Sequence, residues 1–207
     1  MSAAGILVLG TTNRKKAGEL AELLWGVGLE LKTLALFPDA PKVDETGDSF
    51  AANATLKATA QARHLGQWVL GEDSGLVVDA LGGRPGIYSA RFAGPEATDE
   101  QNNERLLAEL GDTPLDGRAA HYVCQMALAD PGGKIRRECG GACHGRIRFR
   151  PAGTAGFGYD PLFEIIEAHR TCAELGEVVK SVLSHRARAA EKLIPHLMEL
   201  VDTGQWT

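Results

Sequence analysis

Gly5-Ile6-Leu7-Val8-Leu9-Gly10, followed by Thr11-Thr12-Asn13-Arg14-Lys15-Lys16, decides the architecture of this chain. The first half is a short continuous apolar run between glycines, the pattern of a buried strand. The second half is a polar loop, after which Leu20, Leu23, Leu24 and Val27 repeat at helical spacing. A buried strand thus delivers hydroxyls and cations to a helix N-terminus. Phosphate binds well there, because backbone N–H groups and the helix dipole point at it. Neither the Walker pattern nor G-x-G-x-x-G is present, so the common P-loop and dinucleotide folds are not supported.

Working outward, residues 48–65 are alanine-rich and lack proline and internal glycine, which favours a helix. Asn53 and Lys57 are four apart and share one of its faces. Trp68-Val69-Leu70-Gly71 reads as a strand that ends in Glu72-Asp73-Ser74. Residues 76–81 are apolar again, and the glycines of 82–86 mark a loop. Thr98-Asp99-Glu100-Gln101 fits a capping box that opens a helix running to Leu110. Residues 120–128 read as a strand, Asp130-Pro131-Gly132-Gly133 as a hairpin turn, and residues 144–150 as a basic strand. A glycine loop at 151–161 carries Phe157-Gly158-Tyr159-Asp160, and residues 162–166 form another short strand. Ala190, Leu193, Ile194, Leu197 and Val201 stripe a final helix. Ser184 is its expected N-cap, with His185 and Arg186 in the first turn. Strands and helices mix without strict alternation. The expected fold is α/β with some α+β character, around a long mixed sheet.

The 207 residues suit a single domain with a real core. With 44% hydrophobic and 24% charged residues, the composition is that of an ordinary globular protein. A net charge of −5 gives no long-range attraction for nucleic acid. A small polyphosphate can still bind where a few cations converge. No apolar run approaches the roughly 20 residues of a membrane span, and residues 1–10 lack the basic start of a secretory leader. Cys124, Cys139, Cys143 and Cys172 are too few to suggest a disulfide framework, which points to a cytoplasmic location. Cys139, Cys143 and His144 have a loose spacing for zinc, and no second Cys-x-x-Cys pair completes a site.

Three groups of side chains suggest chemistry, each with a plainer reading beside it. Glu45, Glu72 and Asp73, with Asp79 nearby, offer the hard oxygen donors that Mg²⁺ takes, at the expected rim of a sheet. Acidic residues after strands are also ordinary solvated turns. Lys16, Lys57, Lys180 and Arg186 stand near helix starts or on helix faces, where any one alone is ordinary surface charge. Phe157 and Tyr159 can stack on a base from the glycine loop, or cover the sheet edge as core aromatics.

Taken in order, these segments resemble the inosine triphosphate pyrophosphatase family, also described as dITP/XTP pyrophosphatases. The likeness covers nearly the whole chain. It is carried by Leu9 to Lys16, Glu45-Thr46-Gly47, Phe50 to Lys57, Glu72-Asp73-Ser74-Gly75-Leu76, Val78 to Gly83, Pro85 to Arg91, Gly156 to Pro161, Ala173-Glu174-Leu175 with Lys180, and Ser184-His185-Arg186. The resemblance implies one two-lobed domain over residues 1–207, with a long central sheet flanked by helices and the active site in the cleft between lobes. It implies Mg²⁺, a purine nucleoside triphosphate as substrate, a homodimer, and no nucleic acid or membrane partner. By position, the loop Thr11, Thr12, Asn13, Arg14, Lys15 and Lys16 would hold the triphosphate, with Lys57 and Ser74 also on phosphate. Glu45, Asp73 and Glu72 would serve the metal, and Asp73 would also be the base that activates water. Phe157, Gly158, Tyr159, Asp160, Lys180, His185 and Arg186 would form the base pocket and its rim, with Arg186 donating to a 6-oxo group that adenine lacks. Four positions depart from the family pattern: Thr12 stands for glycine, Glu72 for aspartate, Ala52 for glutamate, and Val178-Val179 for acidic residues.

The reaction so implied is attack of water on the α-phosphorus with loss of pyrophosphate. Two other classes compete. One is a nucleotide sensor without catalysis, which has no need of the Asp73 base. The other is the related septum-associated nucleotide pyrophosphatase family, which prefers pyrimidines and lacks the Ser-His-Arg ending.

Overall fold

The computed structural model describes residues 5–206, apart from the side chain of Glu177. Residues 1–4, part of the stretch read for a leader, and residue 207 lie outside the described residues. Along the chain run β1 (Ile6–Leu9), α1 (Arg14–Leu23), β2 (Glu30–Thr33), α2 (Phe50–Leu65) and β3 (Trp68–Val78). Next come α3 (Asp99–Leu110), β4 (Ala119–Ala129), β5 (Ile135–Ile147), β6 (Phe163–Ile165), β7 (Arg170–Thr171), α4 (Cys172–Leu183) and α5 (His185–Asp202). The strands make one seven-stranded mixed sheet in the order β2-β1-β3-β4-β5-β6-β7. β1 is parallel to β2 and β3, while β6 is antiparallel to β5 and β7. The expected α/β fold, a mixed sheet flanked by helices, is the one observed.

The chain divides into two compact units. The first comprises the described parts of Met1–Asp73 and Arg186–Thr207 with Cys124–Gly141; the second comprises Ser74–Val123 and Ala142–His185. In the first unit the two-residue period of the strands sorts side chains between two layers. Leu7, Leu9, Trp68, Leu70, Met126 and Leu128 face Leu20 of α1 and Ala190, Leu193 and Leu197 of α5. Val8, Val69, Ala127 and Ala129 face Ala54, Ala58 and Ala62 of α2. Each such buried leucine or valine contributes roughly 1.5–3 kcal/mol. The alanine stripe brings α2 close to the sheet, and Gly71 completes the approach. A Cβ there would collide with the Ala54 carbonyl and the Ala58 backbone nitrogen.

The second unit has its own core, with Leu76, Val78, Phe92, Leu106, Leu110, Tyr122, Ile147, Tyr159, Leu162 and Phe163 at its centre. The capping box expected at Thr98 and Gln101 is present and opens α3. The turn at Asp130 closes the β4–β5 hairpin, with Asp130 Oδ1 accepting from the backbone of Gly132 and Lys134.

Three expectations change. β3 does not end at Glu72 but continues to Val78, so Glu72 and Asp73 lie inside a strand, 1% and 6% exposed. Their charges are matched there, as described below, which offsets part of the penalty that would otherwise drive acids to a strand end. The basic strand begins earlier and stops at Ile147, leaving residues 148–150 outside it. The helix α4 was not expected. Gly176 interrupts it with φ 72°, which blurs its periodicity, although Thr171 and Glu174 form a capping box at its start.

Candidate active site

In the first unit the alternation along β3 sends Asp73 toward α2 and Glu72 toward α1 and α5. On the α2 side, Asn53 and Lys57 stand one turn apart on a single buried face. Lys57 Nζ donates to Asp73 Oδ1 at 3.2 Å and to Glu45 Oε1 at 2.9 Å. Asn53 Nδ2 donates to Asp73 Oδ2 at 3.1 Å, while its Oδ1 accepts from the Gly47 N–H at 2.9 Å. Asn53 thus ties the loop that carries Glu45 to the carboxylate that Lys57 also holds. Burial pushes the Asp73 carboxyl above the ordinary aspartate value, partly offset by Lys57 and Lys16. Burial pulls Lys57 down, but Asp73 and Glu45 outweigh it and leave the ammonium above its usual value. The result is a carboxylate of enhanced affinity for protons beside a cation that stays charged.

Glu72 has different company. Its Oε1 accepts from Arg186 Nη2 at 3.0 Å, and Oε2 lies 3.1 Å from Lys16 Nζ. Arg186 Nη1 donates to Glu19, and the Cys124 thiol lies 3.6 Å from Glu72 Oε1. Burial pulls the Arg186 guanidinium down, and Glu72 and Glu19 more than reverse it. Glu72 faces away from Asp73, because consecutive strand residues face opposite ways. Among the described residues no group of three or more His, Cys, Asp and Glu gathers as a metal site. Arg186, 1% exposed, directs donors to the Glu19 and Glu72 carboxylates.

The loop after β1 keeps its polar character with Thr12, Asn13, Arg14 and Lys15 exposed. Asn13 is the N-cap of α1, and its Oδ1 accepts from the backbone of Lys15 and Lys16 at 3.0 and 3.2 Å. Thr11 Oγ1 accepts from the Asn13 N–H. Asn13 therefore shapes the loop, which leaves the Thr12, Arg14 and Lys15 side chains exposed.

The second unit gathers the remaining residues around Asp160. Its Oδ2 accepts from Lys180 Nζ at 2.9 Å and from the Phe157 N–H at 3.0 Å. The Lys180 ammonium lies 5.0 Å from the Phe157 ring centroid. Tyr122 donates toward Asp160 Oδ1 at 3.4 Å and stacks on the His185 ring at 4.8 Å. Gly156, at φ 81°, has no room for a Cβ beside the Asp160 carboxylate. Gly158 is held by Asp99, which accepts from its N–H at 2.8 Å, and by Asn103. Tyr159 is buried, 3% exposed, and its hydroxyl donates to the Ser89 carbonyl. Phe157 stays half-buried, and Ser74 is half-buried within β3.

Asn53, Glu19, Asp99, Asn103 and Tyr122 were not assigned roles from sequence. Only Asn53 carried a usable signal, its spacing from Lys57. The others depend on contacts between residues distant in sequence.

The Ham1 family model matches residues 7–196. The chain belongs to the Ham1 family. Relatives of this Ham1 chain include a dITP/XTP pyrophosphatase of Rhodopirellula baltica, 52% identical over 96% of this chain and 95% of the relative. Another, from Geobacter sulfurreducens and of the same name, is 48% identical over 92% and 96%. A solved HAM1 protein from Coxiella burnetii superposes with TM-score 0.85 at 36% identity, covering 94% of this chain and 99% of that one. A solved nucleoside-triphosphatase, also named a dITP/XTP pyrophosphatase, from Mycobacterium abscessus gives 0.74 at 41% identity, covering 92% and 99%.

Proposed function

We propose that this Ham1 chain hydrolyses non-standard purine nucleoside triphosphates, ITP, dITP and XTP, to the monophosphate and pyrophosphate. The observation that carries the reading is the Lys57 ammonium held between the Asp73 and Glu45 carboxylates, with the Asp73 carboxyl raised. The names of the relatives support the substrate class.

The first unit offers the reacting end. Asp73 accepts a proton from water as the water oxygen attacks the α-phosphorus. The α-phosphorus–oxygen bond breaks, and pyrophosphate leaves. A raised pKa suits this, since a base works best when its affinity for protons approaches the operating pH. Lys16 and Lys57 neutralise charge that grows on the leaving group. Glu45 and Asp73 fit Mg²⁺: both are hard oxygen donors, and they already converge on one cationic centre within 3.2 Å. When bound, Mg²⁺ would supply neutralisation of the triphosphate, completing its shell with water and phosphate oxygens.

By the family likeness, the Phe157 loop, Lys180 and His185 would meet the base. Phe157 presents a ring for stacking, and Lys180 and His185 present donors. Donors favour the 6-oxo group of hypoxanthine and xanthine over the 6-amino group of adenine. The proposal also carries the homodimer and cytoplasmic location that the family likeness implies. Among the described residues no helix is long and apolar enough to cross a membrane.

The test is turnover of ITP, XTP, ATP and UTP, with Mg²⁺ and with EDTA. ITP and XTP should be fastest, and EDTA should abolish activity until Mg²⁺ is restored. Tight ITP binding without turnover would make the protein a sensor. UTP as the best substrate would favour the pyrimidine reading.

A further inference from the structure

Lys16, Glu72, Arg186 and Glu19 form a chain of alternating charge in the first unit. Lys16 contacts Glu72 at 3.1 Å, Glu72 accepts from Arg186 at 3.0 Å, and Arg186 donates to Glu19. Glu19 lies on the same helix α1 as Lys16, three residues on. The chain of charges ties together α1, β3 and α5. Its inner members are buried, with side chains 0% exposed at Glu72 and 2% at Arg186; Glu19 and Lys16 reach the edge at 15% and 17%.

We propose that Glu19 is a positioning residue for hydrolysis, acting through Arg186 and Glu72 to set the place of the Lys16 ammonium. Glu72 has one carboxylate and serves two cations. How it divides itself depends on how much of the Arg186 charge is met elsewhere, and Glu19 meets part of it. Without the Glu19 charge, the buried guanidinium draws Glu72 into a fuller, two-pronged contact. Lys16 then loses its anchor on β3 and moves in its reach toward a triphosphate. This role rests on the reading above that Lys16 meets the substrate phosphates.

The leaving pyrophosphate gains charge in the transition state, so displacement of Lys16 is felt more in kcat than in KM. A shift of about 1 Å can cost up to about 100-fold. Glu19→Gln, which keeps shape and removes charge, should lower kcat about 10- to 100-fold while KM changes by less than about threefold. Glu19→Asp should recover part of the loss. In a Lys16→Met background, Glu19→Gln should produce no further fall, because the group it positions is gone. A purely structural Glu19 predicts otherwise: a lower Tm, with normal kcat per folded molecule. Should Glu19→Gln fail to fold, Glu19→Asp makes the same comparison, with a smaller loss that must also vanish beside Lys16→Met. Near-normal kcat in Glu19→Gln, or equal losses in both backgrounds, would overturn the proposal. Wild-type enzyme inactive on ITP and XTP would instead refute the functional reading on which it rests.

Discussion

Asp73 is held on both oxygens, by Lys57 on Oδ1 and by Asn53 on Oδ2. Asp73→Asn keeps the shape and removes the base. Turnover should fall on the order of 10²–10⁴-fold, measured as kcat with saturating ITP. Its stability should not suffer at neutral pH. Burial raises the folded pKa of Asp73, so the native state binds this proton more tightly than the unfolded chain does. Stability then falls as pH climbs from the ordinary aspartate range through the raised value, and stays lower above it. The asparagine variant is relieved of that penalty, and Lys57 keeps Glu45 as a partner. Its Tm in EDTA should match or exceed that of the wild type at neutral pH; a clearly lower value contradicts this account. At this scale the sequence marked Asp73, Lys57 and Glu45 by type and family likeness. It did not reveal that Glu72 and Arg186 pair with each other, since their pairing joins residues 114 apart in the chain.

The element that sets the chemistry is β3 against α2. Period-two alternation places Val69, Gly71 and Asp73 on one side and Trp68, Leu70 and Glu72 on the other. This alternation was readable only once the strand was known to continue past Gly71. The acidic pair looked like a strand end because burying two adjacent carboxylates is costly unless each has a partner. Those partners come from α2, α1 and α5. Gly71→Ala should therefore do two things. It should destabilise by roughly 1–3 kcal/mol through overpacking against the α2 backbone, read by denaturant unfolding. It should also lower kcat/KM, because α2 must shift and carry Lys57 and Asn53 from Asp73. Unchanged stability and activity would mean that the close approach at Gly71 is not needed. The α1, α2, α3 and α5 helices were legible from stripes and caps, whereas the two-residue β7 and the interrupted α4 offered little periodicity to read.

For the whole molecule, each of the two units carries its own polar cluster. The first holds the carboxylates, Lys16 and Lys57; the second holds Phe157, Lys180 and His185. The sequence displayed both sets but not their internal wiring. Asp160 holds Lys180 and the backbone of its own loop. The central claim concerns one bond, the one between the α- and β-phosphates. Single-turnover hydrolysis of ITP in heavy-oxygen water, with Mg²⁺ present, tests it most directly. The account predicts monophosphate and pyrophosphate in equal amounts, with the heavy oxygen in the monophosphate. Stepwise release of orthophosphate, or heavy oxygen in the pyrophosphate, would contradict it.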